Sequence, residues 1–437
     1  MGGGLIQLVA YGAQDMYLTG NPQITFFKVV YRRHTNFSIE AIQQIFEQSS
    51  DNLYSGGKKS VLISRNGDLI HKIWLECNLQ CKSSLINGSG CTYVNWTNNT
   101  GHALIEECSI RIGGQEMDKH SSRWLDIWNE LTDHDEADWL GLNKHAAKNA
   151  YLKSQGPLSS EDSISLKLYI PLQFWFCRNV GLALPLIALQ YHEVELDIKF
   201  RESSALINTD FIGTLVTEES SINVNVNVFA DYIYLDTDER RRFAQVSHEY
   251  LIEQIQYKEN NKSNTNFRID FNHPVKEIIW ILPNGDYGRK YSGSTDYIDA
   301  TIEDGNHRND YFNYNAHRST AYIENISGQQ SYEGFNRSTL KLNGHVRFKE
   351  RDASYFRICQ PRQAGHKIPT KHIYMYSFAL NPEEHQPSGT CNFSRLDNAH
   401  LSFNQLNDNG KQQISVYVVS YNVLRIMSGM GGLAYSN

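Results

Sequence analysis

Ile222-Asn223-Val224-Asn225-Val226-Asn227-Val228 alternates β-branched and amide side chains without a break. Successive side chains of an extended chain point to opposite faces, so this stretch buries one row of aliphatics and turns a row of amides outward. Around it, short apolar runs are separated by Asn66-Gly67, Asn87-Gly88, Asn284-Gly285, Asn343-Gly344 and Asn409-Gly410. Asn-Gly supplies the positive φ angles of a two-residue hairpin, and the pattern predicts an antiparallel β protein. Two stretches read as helices. Residues 122–131 place Trp124, Ile127, Trp128 and Leu131 on one face, and residues 237–244 follow a capping Asp236 or Thr237 with acids ahead of Arg240, Arg241 and Arg242, as the helix dipole favours.

The chain has 437 residues, of which 40% are hydrophobic, 12% aromatic and 20% charged. That length supports two or three cores at roughly 150 residues each, and the composition excludes disorder, coiled coil and collagen. The formal charge is −7, and the longest basic runs are Arg240-Arg241-Arg242 and Arg32-Arg33-His34, so a phosphate-backbone binding surface is not expected. The opening Met1-Gly2-Gly3-Gly4-Leu5-Ile6 lacks a basic segment before an apolar core, and the run at 180–189 is too short to span a bilayer. Neither a cleaved secretion signal nor a transmembrane segment is expected. Seven scattered cysteines read as reduced thiols, not as a disulfide frame.

An internal duplication organises the chain. Residues 64–75, with Trp74, can be laid on residues 270–281, with Trp280; Ile110-Arg111-Ile112-Gly113-Gly114-Gln115 matches Leu340-Lys341-Leu342-Asn343-Gly344-His345; and residues 228–233 match residues 416–421. The matches keep one order, which predicts two copies of one β-domain of the size of a jelly roll. The expected fold is all-β, a tandem double jelly roll of two eight-stranded antiparallel sandwiches with short inserted helices. The expected division is an arm over 1–24, a first roll over 25–236, a helical linker over 237–246 and a second roll over 247–437. Trp74 and Trp280 should each fill the core of its own roll.

Catalytic, cofactor and metal sites are not expected. His192-Glu193 and His248-Glu249 are each half of a zinc-protease motif, but Leu196 and Ile252 stand where the second histidine is needed. Cys77 and Cys81 share one face of a predicted strand, with Cys91 beyond, and read as small buried residues. Asp126, Glu130, Asp133, Asp135, Glu136 and Asp138 read as the solvated face of an inserted helix. The aromatic content fits large β-cores and oligomer interfaces better than stacking platforms for sugars or single strands.

The sequence resembles the major capsid proteins of nucleocytoplasmic large DNA viruses, nearest to the algal branch. The resemblance is carried by Leu8-Val9-Ala10-Tyr11-Gly12-Ala13-Gln14-Asp15, by residues 17–28 with Asn21, Pro22, Phe26 and Phe27, and by Tyr31-Arg32-Arg33. It continues through residues 63–69, 181–194, 250–254, 386–395 and 421–435, end to end along the chain. It implies a structural, non-enzymatic subunit whose homotrimers form pseudo-hexagonal capsomers of an icosahedral shell. It also implies minor capsid proteins as partners, an inner viral membrane beneath the shell, no direct contact with nucleic acid, and assembly in the host cytoplasm. The alternative reading is a minor capsid paralogue, or a jelly-roll glycan-binding protein of a virion vertex or fibre.

Two sets of residues are candidates for function. Tyr11, Asp15, Asn21, Pro22, Phe26 and Phe27 belong to an arm expected to act between capsomers, since Pro22 lacks the amide hydrogen a central strand requires. Of the Asn-X-Ser/Thr triplets, which also begin at Asn36, Asn261 and Asn392, those at Asn87, Asn95, Asn98, Asn325 and Asn336 are the candidate glycan acceptors.

Overall fold

The computed structural model describes residues 3–10, 13–47, 53, 55–82, 94–97, 99–132, 163–209, 222–260, 265–283, 312, 314, 333–406 and 413–435. Contacts divide the chain into two units, Met1–Phe37 and Ser38–Asn437. The first contains two short helices, Gly3–Val9 and Met16–Thr19, and the Thr19 hydroxyl donates to the Asp15 carbonyl at 2.8 Å. Asn21 takes a left-handed φ of 54° ahead of Pro22. No helix among the described residues is long and apolar enough to cross a membrane.

In chain order, the first roll contains β1 (Phe37–Gln44), β2 (Gly57–Leu62), β3 (Leu69–Lys82), β4 (Val94–Trp96), β5 (Ile105–Ile112), β6 (Gln115–Ser121), β7 (Ser163–Pro171), β8 (Leu184–Pro185), β9 (Val194–Phe200), β10 (Ile207–Thr209) and β11 (Ile222–Leu235). After the helix Thr237–Gln245, the second contains β12 (His248–Asn260), β13 (Asn266–Arg268), β14 (Pro274–Ile281), β15 (Phe335–Leu342), β16 (His345–Asp352), β17 (Ile373–Ser377), β18 (Cys391–Asn392), β19 (Ala399–Leu406), β20 (Ile414–Met427) and β21 (Met430–Leu433). The first roll stacks sheet β1-β11-β3-β7, with β8 beside β3, on sheet β2-β9-β5-β6. The second repeats this as β12-β20-β14-β17, with β18 beside β14, on β13-β19-β15-β16. Each strand of these two pairs of sheets has its counterpart in the other roll, in the same chain order, which is the tandem double jelly roll; β4 with β10 in the first roll and β21 in the second are additions.

The repetition reaches individual hydrogen bonds. Gly113 and Gly114 turn between β5 and β6 at φ 58° and 80°, and Asn343 and Gly344 turn between β15 and β16 at 48° and 81°. These are the paired positive angles of a type I′ hairpin. The Gly113 amide donates to the Glu193 carbonyl at 2.9 Å, and the Asn343 amide to the Asn398 carbonyl at 2.6 Å. Asn66-Gly67 is different: it joins β2 to β3, which lie in different sheets, and a Cβ at Gly67 would come within 2.7 Å of the Tyr232 Cβ. Glycine is needed there for close approach and not for a hairpin. Asn87-Gly88, Asn284-Gly285 and Asn409-Gly410 lie outside the described residues.

Both predicted helices form, as Ser122–Thr132 and Thr237–Gln245, the latter with the Asp236 carboxylate accepting from the Thr237 amide. The alternation at 222–228 is borne out in β11, whose Ile222, Val224, Val226 and Val228 are buried. Facing them across β3 are Leu75, Cys77, Leu79 and Cys81, so Cys77 and Cys81 share the inward face. Burial pushes the Cys77 thiol far up, and raises that of Cys81 to about 12, which leaves both as inert packing groups.

The pairing of Trp74 with Trp280 is corrected by one residue. Leu75 lies between Val228 and Ile170, and Trp280 between Val416 and Tyr374, so Leu75 is the counterpart of Trp280 and Trp74 that of Ile279. A one-residue slip moves a side chain to the opposite face of a sheet. Trp280 is fully buried in the second core, whereas Trp74 stands half-buried on the outer face of the first roll. Each central strand also carries an irregularity of one extra residue, between Ile70 and Ile73 in β3 and between Val275 and Glu277 in β14, so the two rolls repeat this feature as well. Trp280→Ala is expected to lower unfolding stability by about 3–5 kcal/mol and Trp74→Ala, in the dissociated subunit, by about 1 kcal/mol or less. Urea titrations of both variants check this, and equal losses would restore the original pairing.

Candidate assembly surfaces and the seam between the rolls

The outer face of β12-β20-β14-β17 is covered by the first roll. Ile279 and Ile281 of β14, Ile373 and Met375 of β17, and Tyr417 and Val419 of β20 join the cluster of the first roll, while their inward neighbours join the core of the second. The covering element is the corner formed by β6 and the helix Ser122–Thr132. Its Trp124 lies 5.9 Å from Tyr417 and 5.5 Å from Trp128 by ring centroid. At the edge, Asp118 Oδ1 accepts from the Ile255 amide of β12 at 3.1 Å, and Arg123 pairs with Glu259 at 3.1 Å.

Within this apolar seam sit three ionic groups. Asp126 accepts from Asn99 Nδ2 and Tyr314 Oη, each at 2.8 Å, and pairs with Lys371. Lys276 pairs with Glu253 at 2.5 Å, and Glu253 also meets Arg178 at 3.0 Å, whose guanidinium lies 4.7 Å over the Trp128 ring. His366 places Nε2 2.9 Å from Glu277 and Nδ1 2.7 Å from Glu383. Burial lowers the Lys276 pKa, partly offset by Glu253 and Glu277. Burial works the same way on His366, but its two carboxylates outweigh it and raise the pKa to about 9.

Asp126 and Glu130 therefore do not form a solvated acidic face. Both are buried: the helix lies in the seam, and Glu130 accepts from Thr370 Oγ1 at 3.1 Å. The period of the helix showed Trp124 and Trp128 facing a core, but not that a second roll covers the remaining side. Asp133, Asp135, Glu136 and Asp138 lie outside the described residues.

The half-motif histidines are absorbed by the backbone. His192 Nδ1 lies 3.0 Å from the Gly431 carbonyl, and His248 Nε2 lies 2.8 Å from the Phe243 carbonyl. Among the described residues no cluster of three or more His, Cys, Asp or Glu is arranged to hold a metal. Cys108 and Cys177 are buried free thiols like Cys77 and Cys81, Cys359 is exposed and Cys391 half-exposed.

Of the arm residues, Phe26 and Phe27 are 88% and 98% exposed, Asn21 and Pro22 are exposed, Asp15 is half-exposed, and Tyr11 lies outside the described residues. Asn95 sits in β4 opposite Asn208, and Asn336 is exposed in β15. Asn87, Asn98 and Asn325 lie outside the described residues. The Asn392 side chain accepts from the Ser394 amide at 3.0 Å.

Two sandwiches per chain, joined by a buried seam, define a double jelly roll. Residues 25–236 match the model of the major capsid protein N-terminus, and residues 239–432 match that of the large eukaryotic DNA virus major capsid protein. The chain is 45% identical to the major capsid protein of Pyramimonas orientalis virus and 38% identical to that of Paramecium bursaria Chlorella virus 1, over the full length of both chains in each case. A chain of the PBCV-1 virus capsid, in its quasi-atomic model, superposes with a TM-score of 0.73 at 33% identity, covering 94% of this chain and 100% of that one. The chain belongs to the major capsid proteins of large eukaryotic DNA viruses, and its role is that of a structural protein of the virion capsid.

The His366 group, whose two carboxylates both belong to the second roll, gives the stability of that roll a pH dependence. A histidine whose pKa is raised on folding contributes stability that is complete below its unfolded pKa of about 6.5 and is lost as pH rises through its folded value. Between pH 7 and pH 10 that contribution should fall by roughly 3 kcal/mol. His366→Gln should flatten this part of the profile, measured as the difference between variant and wild-type urea midpoints. Parallel profiles would remove the assignment.

Proposed function

We propose that this chain is the building block of an icosahedral outer shell, a homotrimer in which six rolls form a pseudo-hexagonal capsomer, and that it has no enzymatic activity. The observation that carries the reading is the repetition of one roll, strand for strand, within a single compact unit. Three such chains present six near-equivalent side faces, which close-pack on a hexagonal net from one gene product. In this reading residues 1–24 are an arm, 25–236 and 247–437 the two rolls, and 237–246 their linker.

The arm, with Tyr11, Asp15, Asn21 and Pro22, acts together with Phe26 and Phe27 just beyond it between capsomers or against minor capsid proteins. Its support is the density of family resemblance in a segment that leaves Phe26 and Phe27 exposed. Exposed aromatic side chains of this kind mark protein contact sites. Assembly takes place in the host cytoplasm, the shell overlies an inner viral membrane, and nucleic acid is not contacted, which the formal charge of −7 supports. Asn87, Asn95, Asn98, Asn325 and Asn336 are candidate surface acceptors.

Light scattering should report about 150 kDa, three chains of 50.1 kDa, in dilute solution, because interfaces of this kind bury more than roughly 2,000 Å². A stable monomer or dimer would contradict the trimer. Deleting residues 2–20 should leave a trimer of near-normal melting temperature that no longer enters particles on co-expression. Normal particle yield from the truncated chain would show the arm to be dispensable.

A further inference from the structure

The second roll carries a hairpin where the first leads into the linker helix. β20 turns at Ser428 and Gly429, at φ 52° and 79°, and returns as β21, whose Met430 to Leu433 pair with Met427 to Leu424. These are again the paired positive angles of a type I′ turn. β11, the counterpart of β20, is followed instead by the helix Thr237–Gln245. Two bonds hold the hairpin to its own roll: the Ala434 amide donates to the Val423 carbonyl at 2.8 Å, and Asn422 Nδ2 donates to the Tyr435 carbonyl at 2.9 Å.

The other side of the hairpin lies on the first roll. The Tyr191 amide donates to the Gly429 carbonyl at 3.0 Å. His192 Nδ1 stands 3.2 Å from the Gly431 amide nitrogen and 3.0 Å from the Gly431 carbonyl oxygen. The ring accepts from the amide when that nitrogen is bare and donates to the carbonyl when it carries the proton. A Cβ at Gly431 would come within 2.7 Å of Leu189 Cδ2 and 3.3 Å of Ile112 Cγ2, both of them buried side chains of the first core, so a side chain here would lift the strand. At Gly432, the next residue, a Cβ would meet nothing closer than Gln115 Oε1 at 3.5 Å, the end of an exposed side chain that is free to move. Leu433 packs against the cluster of the first roll, which Leu424 and Ile426 of β20 join.

The position of the hairpin along the seam gives it a mechanical role. β6 runs from Gln115, beside Gly432, to Ser121, where the helix Ser122–Thr132 begins. The helix grips the second roll at one end of β6, through Trp124 against Tyr417 and Asp126 with Lys371. The hairpin grips the first roll at the other end, roughly 20 Å away at about 3.4 Å per strand residue. A single grip leaves two rigid bodies free to rock about it, and a second one at this distance removes the motion.

We infer that the β20–β21 hairpin is a strap between the rolls: the second roll lays it across the turns of the first, and while it is in place the rolls cannot hinge about the helix Ser122–Thr132. Gly431 lets the strap lie flat, and His192 fastens it. The inference concerns a single chain and holds whether or not the trimer proposed above forms.

Hydrogen exchange followed by mass spectrometry tests this on the full chain, comparing wild type with Gly431→Val, His192→Ala and the control Gly432→Val. Two amides that bond across the seam report on its two parts: that of Ile255, which donates to Asp118 Oδ1 at 3.1 Å, and that of Lys367, which donates to the Leu131 carbonyl at 2.8 Å beside the helix grip. Loosening the strap should raise exchange at Ile255 by about tenfold or more in Gly431→Val and His192→Ala, while exchange at Lys367 stays as in wild type. Gly432→Val should match wild type at both. Exchange at Ile255 unchanged in both strap variants overturns the inference, and so does an equal rise in Gly432→Val. Should Gly431→Val fail to show a cooperative melt, His192→Ala decides alone, because it leaves the hairpin sequence intact and removes only a half-buried ring.

Discussion

The structure depends on a sheet that is buried on both of its faces. β14 and β20 send alternate side chains into the core of the second roll and into the apolar cluster of the first, so that Trp280 and Ile279, adjacent in sequence, belong to different cores. A jelly roll standing alone needs only one apolar face per sheet and reads as a clean alternation, as β11 does. β14 reads instead as Val275-Lys276-Glu277-Ile278-Ile279-Trp280-Ile281, nearly continuous in apolar residues after its charged start, and all of it is buried. The second roll therefore cannot present its sheet to water, and the two rolls are held as one unit.

The ionic groups in the seam do a different job from its apolar side chains. Lys276 with Glu253 and Arg178, Asp126 with Lys371, and His366 between Glu277 and Glu383 each place opposite charges where water is excluded. Desolvating such groups offsets much of their attraction, so they add little net stability, yet leaving one unpaired costs several kcal/mol. Apolar faces slide past each other at small cost, whereas the pairs that cross between the rolls, Asp126 with Lys371 and Arg178 with Glu253, are satisfied at one relative position of the rolls. For a structural protein of a capsid, a fixed angle between rolls matters more than additional stability.

The sequence made the class of fold legible because the signals are local: the alternation of β11, the two hairpins at Gly113-Gly114 and Asn343-Gly344, and the capped helix at Asp236. What was hidden depends on non-local contacts. Asp126 and Glu130 carry the periodicity of a solvated helix face, and only the second roll, which supplies Lys371 and Thr370, turns them into buried partners. Trp74 and Trp280 look equivalent because both follow a turn by a similar interval, but Leu75 stands opposite Val228 as Trp280 stands opposite Val416, so the two tryptophans take opposite faces. The proposed arm rests on resemblance alone, since the short helices and exposed phenylalanines of residues 3–27 follow no hydrophobic period.

The corrected register gives the misassigned tryptophan a physical reason. Trp74 stands on a face that the other described residues leave uncovered, and it is half-buried there among polar neighbours and not sealed in a core. The two rolls share a topology but not the chemistry of their outer faces: where the second roll has Ile279, Tyr417 and Ile373, sealed within the chain, the first has Trp74, Phe229 and Tyr169 among amides and carboxylates. A permanent seam within one chain favours a fully apolar face, because it forms with folding and is never exposed. The difference between the two faces thus follows from one condition: only one of them meets water during the life of the free subunit.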